Sequence, residues 1–181
     1  ETNYTIDEIL DEGGDVLNQM LTSQLYVDDV PLSCASCANS EELGIPGEIR
    51  QLDPMERAGI LTHPSWLIAF SRNDENDAVG RGHFIRERLL CTAVPSVPIG
   101  VIPQLPNAEE HPTMRARLEA HLQPDCAGCH QLMDPLGLPF EMYDHVGEPQ
   151  LAAHPDIDPR GLLSGSGNQD GPVDNPLDLT Q

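Results

Sequence analysis

Cys126-Ala127-Gly128-Cys129-His130 is the stretch that decides how this 181-residue chain is organised. Two cysteines two residues apart with a histidine directly after them form the attachment pattern of a c-type haem. On one turn of helix Cys126 and Cys129 project to the same side, so both thiols can add across the two vinyl groups of one porphyrin. His130 then aims its imidazole at the iron as one axial ligand. A CxxC pair alone fits a disulfide or half a zinc site equally well, and the adjacent histidine tips the reading to haem. The fold expected around it is mainly α: four or five short helices about one covalent haem, with long proline-rich and acidic loops.

Upstream of the motif, Met114, Leu118, His121 and Leu122 fall at i, i+4, i+7 and i+8 on one side of a helix opening near Pro112. Pro124 ends that helix and lets the chain reverse. Asp125 then caps the motif helix, which Asp134-Pro135 is expected to stop. His121 is therefore the first candidate for the second axial ligand. Met142, past a turn, is the alternative, whereas Met133 sits on the His130 helix and has difficulty reaching the opposite face. The remaining histidines, at 63, 83, 111, 145 and 154, are assigned to surface or loop positions. An empty or water-bound sixth position stands against all of these candidates.

Further out, Ile6, Ile9, Leu10, Leu17 and Leu21 give a broken helical stripe over residues 5–22, with Thr5 and Glu8 as a capping box and Gly13-Gly14 as a break or kink. A helix opening at Asp53-Pro54 is expected to carry Ile60 and Leu61 and, beyond Pro64, Trp66 to Phe70. Another runs from Val79 to Cys91 with Phe84, Ile85, Leu89 and Leu90 inward and the arginines outward. Five prolines between 92 and 112 make an extended connector that can lie across the haem edge. The organisation is thus an N-terminal helix and irregular cysteine-containing segment (1–50), a haem domain (51–150), and an acidic arm rich in glycine and proline (151–181).

Thirty acidic residues against nine basic ones, all arginine, give a net charge of −21. That charge opposes nucleic acid and anionic lipid as partners. No run is long and apolar enough to span a bilayer. A solubilising face is the plain reading of the charge, and docking to a basic redox partner is the sharper one. Cys34, Cys37 and Cys91 remain after the motif. Haem c is assembled outside the cytoplasm, where one disulfide among these three is expected. Cys34-Ala35-Ser36-Cys37 lacks a following histidine, so a local loop clamp is its expected role.

Three segments in order carry a family likeness. They are Arg57-Ala58-Gly59-Ile60-Leu61-Thr62-His63-Pro64, Arg81 to Cys91, and Cys126 to Asp144 with Met133-Asp134-Pro135-Leu136-Gly137 and Glu141-Met142-Tyr143-Asp144. Over roughly residues 50–150 the chain resembles the planctomycete-type cytochrome-c-like domains of uncharacterised function, found near the C-termini of large secreted bacterial proteins. The resemblance implies one covalent haem c at Cys126, Cys129 and His130, an extracytoplasmic location (periplasmic, secreted or cell-surface), and further domains on both sides. The Cys34/Cys37 pair has no counterpart in that pattern.

Three functions follow as expectations. The first is electron transfer by a monohaem cytochrome domain, with a redox partner protein, a neighbouring haem domain or further copies of itself. The second is a haem enzyme or sensor with an open distal site. The third is a structural zinc or disulfide module using Cys34, Cys37, Cys126 and Cys129. No serine-histidine-acid order, phosphate loop or HExxH argues for hydrolysis or nucleotide chemistry.

Overall fold

The computed structural model describes residues 2–28, 48–97, 105, 106 and 108–180. It is mainly α, with two small antiparallel strand pairs. At the N-terminus α1 (Thr2–Glu12) and α2 (Val16–Thr22) are separate helices. Gly13 and Gly14 both take left-handed φ, and Asp15 caps α2 by accepting from the Asn18 amide at 3.1 Å. The double glycine therefore breaks the helix rather than kinking it. Because α1 starts at Thr2, Thr5 lies within the helix and is buried there instead of capping its start. Strand β1 (Leu25–Asp28) pairs with β2 (Glu48–Gln51). Cys34 and Cys37, with the clamp expected of them, lie outside the described residues.

The segment after Asp53 departs from the expected helix. Asp53 caps only a turn, accepting from the Met55 amide at 2.9 Å, and a short 3-10 turn covers Ile60–Thr62. Gly59 interrupts the chain at φ 63, where an added Cβ would meet the Leu21 carbonyl oxygen at 2.0 Å. A true helix, α3, begins only at Pro64 and runs to Ala69. Its cap is His63, whose imidazole accepts from the Ser65 amide.

Helix α4 (Ala78–Phe84) continues as one π-helical turn, Ile85–Leu89. Its arginines correct the expected pattern: Arg81 and Arg86 are buried, not outward. Arg81 donates to the Phe70, Phe140 and Leu67 carbonyls and to the Ser71 hydroxyl. Arg86 donates to the Leu132 carbonyl and to Ser164. A guanidinium carries five donors, so burial is tolerated where each finds a carbonyl at a helix end or turn. Burial lowers the pKa of Arg81 to about 10. Leu89, expected inward, is exposed.

Two further helices complete the frame: α5 (Met114–Leu118), extended by a 3-10 turn Glu119–Leu122, and α6 (Pro124–Gly137). The α5 start is capped twice. Thr113 accepts from the Ala116 amide, and the buried Glu141 carboxylate accepts from the amides of Met114 and Arg115. Helices α4 and α6 pack face to face. Around them Leu61, Trp66, Leu67, Ile85, Leu136, Phe140, Met142 and Tyr143 form the main core. Trp66 anchors it, with ring centres of Phe70, Phe84 and Phe140 at 5.0, 5.7 and 5.2 Å.

The acidic C-terminal arm folds back onto this frame. Its hairpin, β3 (Gly161–Leu163) with β4 (Gly171–Val173), lies against α6, and Val173 and Leu177 are buried. Arg86 ties the hairpin's Ser164 to the core, which supplies the attachment the polar sequence lacked. Among the described residues no helix is long and apolar enough to cross a membrane.

Candidate functional site

Helix α6 positions the site. Gln123 is extended and Pro124 occupies the first helical position, where its missing N–H costs nothing. Asp125 sits in the first turn, while the position preceding the helix belongs to Gln123. The helix also runs on through Asp134 and Pro135 to Gly137 instead of stopping there. Pro135 lies in the final turn, where the ladder bond it cannot make is one of the last.

Cys126 and Cys129 are half-buried and both thiols are free. Cys91 is likewise free, exposed just past the π turn at φ 52, so no disulfide forms among the described cysteines. The two α6 thiols face a cavity of about 240 Å³ whose walls include His83, Val94, Pro95, Val97, His130 and Met133. Residues 94–97 thus bring the proline-rich connector across the thiols, with the Pro95 carbonyl 3.7 Å from the Cys129 sulfur.

His130 lies at the junction of that cavity and a second, wider groove of about 860 Å³. Leu118, Leu122, Leu132, Leu138 and Leu162 give the wider groove an apolar floor, and Arg115, Asp158 and Arg160 line its polar side. The imidazole is fixed from within its own helix. Both Asp134 carboxylate oxygens lie 3.0 Å from His130 Nδ1. With Nδ1 engaged, Nε2 is the atom left to meet a ligand or metal. Asp134 is only 5% exposed. Burial raises its carboxyl pKa above the ordinary range, and the charge and hydrogen bond of His130 oppose the rise.

His121 is buried with its ring centre 4.1 Å from that of His130, the planes tilted by 45°. One donor atom from each of His121, His130 and Asp134 lies within 4.8 Å of the others. The sequence-derived pair His121 and His130 is therefore brought together. Met142 is not: it packs in the main core and lines neither groove at His130. Met133 is buried but borders the thiol cavity.

Two residues escaped the sequence reading. Asp134 is expected from the sequence to stop the helix, although its spacing of four from His130 places it on the same face. His83 was assigned to the surface; it is exposed, but it opens onto the thiol cavity and lies 3.5 Å from Glu87. Of the other histidines, His63 is buried in the α3 cap, where burial lowers its pKa to about 4. His145 and His154 line a separate acidic cavity.

The model of PSCyt3, described as a protein of unknown function (DUF1588), matches residues 57–153. No curated protein and no solved structure matches the chain.

Proposed function

Because the chain belongs to PSCyt3, a family of unknown function that matches more than half its length, we propose that it is a monohaem c-type cytochrome domain acting in electron transfer. Cys126 and Cys129 would hold the porphyrin through thioethers, and His130 would bind its iron through Nε2. Once bound, the group would supply a one-electron iron couple. The observation that carries this reading is the Asp134 carboxylate on His130 Nδ1, beside two free thiols on the same helix. A metal-ligating histidine characteristically donates its other N–H to such an acceptor.

The surroundings fit the group. Free thiols can add to vinyls, and the leucine-floored groove that meets their cavity at His130 offers apolar surface to a flat macrocycle. His121 is the proposed second axial ligand. Assembly of such a domain requires an extracytoplasmic setting. The net charge of −21 suits a basic redox partner.

A second reading rests on the three clustered donors. His121, His130 and Asp134 make a two-histidine, one-carboxylate set of the kind that binds a non-haem metal. Against it, Asp134 already holds Nδ1 at hydrogen-bond distance, which is the geometry of an orienting group rather than of a ligand.

The test is to export the chain in a host with haem-attachment machinery, then record the intact mass and a reduced-minus-oxidised spectrum. The expected result is the mass of one haem above the polypeptide and sharp bands on reduction. A colourless protein of polypeptide mass overturns the cytochrome reading. Stoichiometric zinc or non-haem iron in that colourless protein supports the second.

A further inference from the structure

We propose that Asp134 is a positioning residue that, through its charge, holds the His130-bound iron at a lower reduction potential than a neutral acceptor would. This deepens the cytochrome reading and rests on it.

Any acceptor could fix the imidazole's rotation; a backbone carbonyl would do so without charge. This chain instead places a carboxylate there, with both oxygens 3.0 Å from Nδ1. Among the described residues His130 is its only hydrogen-bond partner. The two arginines that line the same groove are engaged elsewhere. Arg115 donates to the Asp158 and Arg160 carbonyls, and Arg160 donates to the Asp158 carboxylate at 2.8 and 3.0 Å. The Asp134 carboxylate is therefore hydrogen-bonded to one imidazole, with a His121 nitrogen within 4.8 Å, and Asp134 is only 5% exposed. In so little solvent a charge acts strongly on its neighbours. Pulling the Nδ1 proton makes Nε2 a stronger donor, and the added negative charge favours the more positive iron state.

Placement four residues along the same helix makes the arrangement permanent. Asp134 and His130 share one face of α6, so the helix itself keeps the carboxylate beside the imidazole. A side chain on a loop would not give that constancy.

The test compares midpoint potentials of the exported wild-type protein and D134N. Asparagine keeps the shape and one acceptor oxygen, exchanges the other for an amide NH2, and removes the charge. The expected result is an unchanged pigment mass with a potential raised by at least a tenfold shift in the oxidised-to-reduced ratio, about 59 mV for one electron. An unchanged potential in a fully pigmented D134N overturns the proposal and leaves the cytochrome reading standing. Wild-type protein without pigment sinks that reading itself. Should D134N fail to mature, the wild-type protein decides: its iron–imidazole stretching frequency, recorded after carbon monoxide photolysis, is expected above that of a carbonyl-bonded imidazole. A frequency at or below that reference overturns the proposal.

Discussion

Gly82 on α4 and Gly137 on α6 meet backbone to backbone. A Cβ on Gly82 would lie 1.9 Å from the Met133 carbonyl oxygen, and one on Gly137 would lie 1.8 Å from that of Ala78. Neither neighbour is a flexible side-chain end, so the helices must separate to admit even a methyl group. Since α6 carries Cys126, Cys129, His130 and Asp134, this crossing also sets the depth of the candidate site. We expect G82A and G137A each to cost about 3 kcal/mol or more, at the upper end of overpacking penalties. Urea unfolding measures it. A change below about 1 kcal/mol would show that the crossing has slack.

Arg81 illustrates a different kind of constraint. Its guanidinium is fully buried and joins the end of α3 to the turn after α6 through the Leu67, Phe70 and Phe140 carbonyls. R81M fills much of the volume but removes four hydrogen bonds, those to the Leu67, Phe70 and Phe140 carbonyls and to the Ser71 hydroxyl. The expected loss is about 3 kcal/mol, the upper end for a single substitution, because several hydrogen bonds from a charged donor go at once. R81K should recover little, because an ammonium cannot span three divergent acceptors. Thermal and urea unfolding of both variants check this, and a near-wild-type R81K would refute the geometric part of the claim.

These cases show where the amino-acid order was sufficient and where it was not. The spacing of Cys126, Cys129 and His130 and the i, i+7 relation of Met114 to His121 are local, and the structure places the first three on one helix and His121 beside them. The mainly helical character was legible for the same reason. Arg81 and Arg86 were misplaced because an arginine's partners here are carbonyls far along the chain, which no periodicity encodes. Pro135 was misread because a proline in a last turn and a proline after a helix look alike in sequence. The C-terminal hairpin was invisible for a related reason. Its attachment comes from Arg86 on Ser164, from Gly161 seated against the Pro135 carbonyl and Pro139, and from the isolated apolar residues Leu163 and Val173 rather than a continuous stripe.

Stability should depend on pH through His63. Burial holds its folded-state pKa at about 4, against 6.5 for the free side chain. The unfolded chain therefore binds the proton first as pH falls, and the folded state loses stability over the window from about 6.5 down to about 4. Above that window the contribution is complete. The difference corresponds to about 3 kcal/mol as an order of magnitude. H63N retains a capping side chain and removes the titration. Its unfolding free energy should fall less than that of wild type between pH 7 and pH 4, by about that amount. Parallel pH curves for the two proteins would refute the assignment.

His121 gives the sharpest variant test of the proposed iron site. It is buried, its ring centre is 4.1 Å from that of His130, and it stands on a separate element, the 3-10 turn ahead of α6. Removing it leaves both thiols and His130 intact, so attachment should proceed normally. H121A is expected to keep the pigment mass of wild type and to pass from a low-spin to a high-spin spectrum. In the reduced state it should bind carbon monoxide at least tenfold faster than wild type, because no protein ligand has to leave first. A low-spin H121A with wild-type carbon monoxide kinetics would remove His121 from the axial position. Attention would then turn to His83 and Met133, the other nitrogen and sulfur donors on the wall of the thiol cavity.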